Sequence, residues 1–355
     1  MAIFSDDVVA PKQHKERKNP ITQSQSIEYD NTFENSIRPK SFDDYIGQSA
    51  LKDTLHICIE AAKKRNKPLD HMLFYGPPGL GKTTLAGVVA EQMGAPIKIT
   101  SAPALERPRD IIGILMSLTE GEILFIDEIH RMNKVAEEIL YPAMEDFFLD
   151  MTTGKSQTVK TMRIPLPKFT LIGATTKAGE LSSPLRERFG ILKRLEFYTI
   201  EELAQVVTRT AKLLEIDIDE EGAKAIAKRS RGTPRIENRL VKRVSDFAIV
   251  KYDGVINERV ANSSLDILKI DEFGLDSTDR NLLKLIIEKY DGGPVGIETI
   301  AAALSEDVRT IEDVCEPYLL QAGLLQRTPR GRKVSPQAYR HLGITNVSIQ
   351  GSLFD

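Results

Sequence analysis

Tryptophan is absent from this 355-residue chain, and cysteine occurs only as Cys58 and Cys315. Two distant thiols without metal-ligand spacing provide neither a disulfide framework nor a cysteine-based zinc site. The five histidines are scattered, and none forms an i, i+4 pair, which removes the usual helical zinc signature as well. No run of 18 or more apolar residues exists, so no helix is expected to span a bilayer. Met1-Ala2-Ile3-Phe4-Ser5-Asp6-Asp7 is acidic and has no apolar h-region, so no secretory leader is read there and a cytoplasmic setting is expected. A large excess of either charge is also missing. Forty-eight Lys and Arg face 51 Asp and Glu, a net charge of −3, which excludes a uniformly basic nucleic-acid coat but not a local basic patch.

What remains is ordinary for a globular chain, 41% apolar and 28% charged, and its length suits two or three domains at ~150 residues each. Residues 1–35 are polar and without periodicity and read as a loosely attached arm. Residues 36–198 alternate helical and strand patterns. Ser49–Arg65 places Leu51, Leu55, Ile59 and Ala62 at helical spacing. The apolar runs at 71–75, 97–100, 122–126 and 169–174 read as buried parallel strands of an α/β sheet. From 199 to 270 the strand signal disappears. Thr199 with Glu202 makes a capping start, and Gly232-Thr233-Pro234 breaks the helical run. Residues 271–346 show helical patterns at 277–290, 297–304 and 309–321, then a basic hairpin at 324–335, and 347–355 read as a tail.

Gly76-Pro77-Pro78-Gly79-Leu80-Gly81-Lys82-Thr83 satisfies G-x-x-x-x-G-K-[ST] between a predicted strand and a predicted helix. Glycines let the backbone wrap phosphates, with N–H groups pointing inward at a helix N-terminus. Lys82 is expected on the β- and γ-phosphates, and the Thr83 hydroxyl on Mg²⁺. Ile123-Leu124-Phe125-Ile126 ends in Asp127-Glu128, which assigns Asp127 to the Mg²⁺ shell and Glu128 to the attacking water. Thr175-Thr176 closes another strand where a polar group can orient that water. Two arginines in Ser183-Pro184-Leu185-Arg186-Glu187-Arg188-Phe189 suit either a solvated face or a finger onto a neighbouring subunit's γ-phosphate. Arg235, opening a helix after Gly232-Thr233-Pro234, suits a reporter of phosphate loss or a solvated helix start. Residues 149–168 alternate around Gly154-Lys155-Ser156-Gln157 and read as an inserted hairpin. Its apolar face (Met151, Val159, Met162, Ile164) either packs on its own domain or docks a partner. In the last unit Arg327, Arg330, Arg332 and Lys333 crowd one hairpin, while Glu312, Asp313 and Glu316 make the preceding helix acidic. The hairpin, not that helix, is the expected phosphate contact.

In order, GPPGLGKTTLA, LFIDEIHR, LYPAMED, FTLIGATT, SPLRERFG, RGTPR and QRTPRGR resemble the RuvB family, the bacterial AAA+ motors of Holliday-junction branch migration, from about Ile37 to Ile344. The Walker motifs alone say only AAA+; LYPAMED and QRTPRGR narrow the resemblance. It implies a P-loop AAA+ parallel-sheet ATPase domain, an all-helical lid and a C-terminal winged-helix domain. It also implies ATP and Mg²⁺, a homohexameric ring on duplex DNA at junctions, docking of RuvA through the 149–168 hairpin, and action beside the RuvC resolvase in SOS-linked recombination and repair. Carried over by residue, Ile37 and Arg38 line the adenine side. Gly79, Gly81, Lys82, Thr83 and Thr84 hold the phosphates and metal. Asp127 and Glu128 take the Walker B roles, Thr176 is the first sensor, and Arg188 is the finger acting in trans. Arg186, Tyr198 and Arg235 border the nucleotide, with Arg235 as second sensor. Glu145, Asp146 and Phe147 face the adjoining subunit's nucleotide, and Arg327, Arg330 and Arg332 meet DNA. A further arginine of the family's winged head falls here at Val308, with Arg309 beside it. A clamp-loader-like subunit shares the ATPase core but ends in a helical collar. An ATP-switched DNA-binding regulator shares the head but has no use for Glu128 and a trans arginine together.

Overall fold

The computed structural model describes residues 36–153 and 160–344. The expected arm at 1–35, the tail at 347–355, and Val159 with the tip of the inserted hairpin lie outside the described residues. The first domain opens with α1 (Ser49–Arg65), whose Leu51, Leu55, Ile59 and Ala62 are all buried, and Asn66 closes it in the left-handed region. Five strands then form one parallel sheet: β1 (Met72–Tyr75), β2 (Ile97–Ser101), β3 (Ile123–Asp127), β6 (Thr170–Thr175) and β7 (Ile191–Arg194), in the order β2-β3-β6-β1-β7. On one face α1 and α2 (Lys82–Met93) pack with Phe74, Leu85, Val89 and Phe125. On the other, α3 (Pro108–Met116), α4 (Lys134–Glu145) and α5 (Ser183–Glu187) pack with Ile111, Leu140, Phe169 and Leu185. Covering both faces is what near-continuous apolar strands require. The antiparallel pair β4 (Phe148–Thr153) and β5 (Lys160–Pro165) stands apart from the sheet, with Met151 opposite Met162.

Two strand expectations are corrected. β2 is only half-buried, and Ile99 is 58% exposed, because β2 is an edge strand with a single neighbour. β7 gave no strand signal, because Ile-Leu-Lys-Arg has only two apolar residues before two cations, and only its burial alternates on the opposite edge of the sheet.

The lid comprises α6 (Ile200–Leu213), α7 (Glu220–Lys228), α8 (Pro234–Lys251) and α9 (Glu258–Ile267) around Val207, Ile226, Leu240, Val244 and Leu265. The Thr199–Glu202 capping box forms in both directions, at 2.9 and 3.2 Å. The third domain contains α10 (Ser277–Tyr290), α11 (Ile297–Leu304), α12 (Val308–Thr310), a π turn at Ile311–Cys315, α13 (Glu316–Gln321), the β8 (Leu325–Thr328) and β9 (Gly331–Val334) hairpin, and α14 (Pro336–His341). The expected single helix at 309–321 is thus interrupted. Pro317 has no N–H for the Asp313 carbonyl four residues back, and its ring crowds that carbonyl, so the backbone widens just before it. α14 was not legible in the sequence, being six residues opened by Pro336 and capped by Ser335.

Candidate nucleotide site

The glycine loop between β1 and α2 lines a cleft that also receives Ile37, Arg38, Tyr45, Asp127, Glu128, Thr176, Tyr198, Arg209, Thr210, Arg235 and Asn238. Gly81 caps α2 with no side chain on its amides and a φ of 89°, leaving the helix N-terminus open to an anion. Gly79 has a φ of 82°, and a Cβ there would stand 3.3 Å from Arg235 Cβ, so its bareness lets the lid approach the loop. Lys82 Nζ donates to the carbonyls of Gly76 (2.8 Å) and Pro77 (2.9 Å). Burial pushes its pKa down to about 8, against the pull of Glu128 and Asp127 and with help from Arg235. Thr83 and Thr84 follow in the first turn of α2 and line the same cleft.

Asp127 ends β3 and accepts the Glu128 N–H at 2.9 Å. Burial first, and then the Glu128 charge, raise its pKa. Asp127 and Thr83 line the same cleft, and a carboxylate with a hydroxyl is an oxygen donor set suited to Mg²⁺. Glu128 holds φ at 48°, strained for a residue with a side chain and typical of functional turns. Its Oε2 accepts from Thr176 Oγ1 at 3.0 Å and lies 3.2 Å from His130 Nδ1. His130 Nδ1 is also 2.9 Å from Thr175 Oγ1. Burial lowers the His130 pKa, opposed by Glu128.

Elsewhere in the cleft, Arg209 donates to the Ile37 carbonyl (2.8 Å) and Thr210 to Asn238 Oδ1 (2.7 Å). Tyr198 donates to Tyr45 at 3.2 Å, and burial pushes Tyr198 up to about 12. Tyr45, Arg209, Thr210, Asn238 and His130 escaped the sequence reading. His130 carried one signal, its place three residues after Asp127 on the 3-10 turn Ile129–Arg131, which brings it back beside Glu128. The others sit on lid helices or in loops, where no motif marks them.

The remaining candidates lie away from this chain's own cleft. Arg188 pairs with Glu145 at 3.0 Å, donates to the Pro184 carbonyl at 2.7 Å and covers the Tyr141 ring at 4.3 Å. Arg186, Glu145 and Asp146 are exposed. Phe147 is partly turned inward, its ring edge-on to Phe169 at 5.8 Å, because a backbone φ of 55° points it at the core. His71 fastens this corner. It accepts the Leu171 N–H (2.8 Å) on Nδ1 and donates from Nε2 to the Met144 carbonyl (3.0 Å).

In the hairpin, Arg327 and Arg332 are both bound to the buried Glu316, at 2.5 and 2.9 Å, and Arg332 also reaches Glu312 at 3.2 Å. Arg330 and Lys333 point to solvent.

Three family models cover the chain in succession. They are the P-loop domain of the Holliday junction DNA helicase RuvB (37–195), the RuvB AAA lid domain (198–271) and the RuvB C-terminal winged helix domain (272–343). The Holliday junction branch migration complex subunit RuvB of Crocosphaera subtropica is 58% identical over 345 residues, 97% of each chain. That of Nostoc punctiforme is 56% identical over 349 residues, 97% of this chain and 95% of the relative. The solved Thermotoga maritima RuvB Holliday junction branch migration motor matches with a TM-score of 0.80 and 50% identity, over 87% of this chain and 99% of that one.

Proposed function

This chain belongs to the RuvB family of P-loop ATPases that drive Holliday-junction branch migration, and from that membership we propose how its residues divide the work. ATP lies in the cleft with its base toward Ile37, Arg38 and Tyr198 and its phosphates on Gly79, Gly81, Lys82 and Thr84. Thr83 and Asp127 would hold Mg²⁺, which would offset the charge of the phosphates. Glu128 takes the proton from the attacking water, oriented with Thr176, and Lys82 donates to the β- and γ-oxygens. Arg188 and Arg186, with Glu145, Asp146 and Phe147 beside them, complete the neighbouring subunit's site in a homohexamer. Arg235 couples phosphate loss to lid rotation, and the lid carries the winged head along duplex DNA.

The observation that carries this reading is the convergence of Lys82, Thr83, Asp127, Glu128, Thr176 and Arg235 on one cleft from the P-loop, two strand ends and the lid. The hairpin β8–β9 stands where a clamp-loader subunit would have a helical collar. Arg330 and Lys333, with Arg327 and Arg332 once freed from Glu316, are the phosphate contacts. Such contacts ignore sequence, so junction specificity falls to RuvA, docked on the 149–168 hairpin, with RuvC resolving the product. The test is ATP-dependent dissociation of a synthetic mobile four-way junction with and without the cognate RuvA. Splitting that requires ATP, RuvA and Lys82 is expected. ATP hydrolysis without junction movement, even with RuvA, would overturn the motor reading.

A further inference from the structure

The head touches both other domains, and the two contacts differ in strength. Toward the lid, Arg231 (3% exposed) pairs with Asp279 (1% exposed) and, at 3.5 Å, with Asp276, and its Nε donates to the Gly274 carbonyl at 2.7 Å. Losing one partner of so buried a pair strands a charge in the interior, so this joint resists opening. Toward the ATPase domain, Asp313 (27% exposed) lies 3.1 Å from Lys177 Nζ (34% exposed) and 3.9 Å from Arg131 (50% exposed). Pairs this open to water are weak and screened by salt. When the lid turns, the head therefore travels with it, and the Asp313 contact is the one that parts.

The two cations that grip Asp313 have informative neighbours. Lys177 directly follows Thr176, and Arg131 directly follows His130. Thr176 and His130 are the residues within 3.0 and 3.2 Å of the same Glu128 oxygen. On either side of Asp313, Glu312 and Glu316 are occupied by the wing arginines, so Asp313 is the acid turned to the ATPase domain. It sits in the π turn forced by Pro317, a local irregularity often found where a helix has work to do.

We propose that Asp313 is a positioning residue for the ATPase reaction. Docked on Lys177 and Arg131, it holds the Thr176 and His130 segments together around Glu128, whose bound oxygen is then withheld from water. Departure of the head releases both segments and frees the carboxylate for proton transfer. The head's position is thereby read at the catalytic base of its own subunit. This rests on Glu128 being the base.

The experiment uses the full chain without DNA or RuvA and measures kcat and KM for ATP across a salt series. The proteins are wild type, Asp313→Asn, Lys177→Gln, and the double variant Lys177→Gln with Asp313→Asn, each also combined with Glu128→Gln. Loss of a half-exposed ion pair is worth about two- to fivefold. Asp313→Asn is therefore expected to raise DNA-free kcat by about that factor, with KM unchanged. Added salt should lift the wild type toward the variant and leave the variant flat, and the double variant should turn over no faster than Asp313→Asn alone. An unchanged or lowered kcat at wild-type melting temperature, or rises that simply add in the double variant, overturns the proposal. If Asp313→Asn is unstable, Lys177→Gln must reproduce the rise from the other side, and its failure to do so is equally decisive. Turnover that survives Glu128→Gln in every background would instead overturn the reading of Glu128, a separately visible result.

Discussion

At the scale of one residue, Lys82 couples its own protonation to the binding of a charged ligand. Its ammonium is buried against two loop carbonyls, and desolvation outweighs the nearby carboxylates, so its proton is held only up to about pH 8. Triphosphate would stabilise the charged form and raise that value. The sign of the linkage follows. Below pH 8 the lysine is charged in free and bound protein alike, and affinity is indifferent to it. Above pH 8 the free protein has lost a proton that the complex must regain, so binding takes up a proton and the Kd for ATP rises by up to about tenfold per pH unit. Calorimetric titration at pH 9 in buffers of different ionisation enthalpy is expected to report this uptake, and at pH 7 to report none assignable to the lysine. Lys82→Met should bind weakly at both values and show no such pH dependence.

At the scale of the element, the joint between lid and head is the place where one side chain decides much. Asp279 is fully buried on α10 against Arg231, which itself holds a φ of 54° in the turn leading to Arg235. Asp279→Ala leaves the buried guanidinium with Asp276, at 3.5 Å, as its remaining carboxylate and is expected to cost about 3 kcal/mol, the low end for a broken buried pair, seen as a lowered midpoint in denaturant unfolding of the unit containing lid and head. The motif-bearing elements were legible in advance, because α1, the loop before α2, and the ends of β3 and β6 combine a regular apolar period with residues whose chemistry fixes their place. Less of the rest was. β7 has only two apolar residues where an apolar run was sought, and the π turn at Ile311–Cys315 depends on Pro317 acting on the preceding turn. The pairing of Arg327 and Arg332 with Glu316 joins α13 to the hairpin, which no local pattern encodes. That pairing also bears on the wing. Arg330 and Lys333 are exposed and stand apart from the Glu316 pairing, so Arg330→Ala is expected to weaken duplex binding uniformly across sequences and to reduce the slope of log K against log salt by about 1. Arg332→Ala should in addition destabilise the head, since it strips a partner from the buried Glu316, and thermal melting separates the two effects.

At the scale of the whole molecule, the cleft has its lysine, its carboxylates and its lid arginine, while Arg188 lies outside it, held by Glu145 and the Tyr141 ring. A cation placed there serves its own site only if the chain rearranges, but serves a neighbour's site as soon as subunits close head-to-tail, the arrangement in which every interface is the same. The two possibilities differ in a mixing experiment. Arg188→Ala subunits keep an intact cleft and lack a finger to offer; Lys82→Ala subunits keep the finger and lack a working cleft. Each is expected to bind partners and to hydrolyse ATP at a small fraction of the wild-type rate, since a finger contributes a factor of about 10³–10⁵. In an equimolar mixed ring, a site works when an Arg188→Ala cleft adjoins a Lys82→Ala finger, which random assembly provides at about one interface in four. ATPase measured after mixing should therefore recover to about a quarter of the wild-type rate if sites fire independently, and to less if firing must pass around the ring. No recovery in rings shown by light scattering to contain both variants would mean that Arg188 acts within its own chain. The Glu145 contact would then be its place of work and not where it waits.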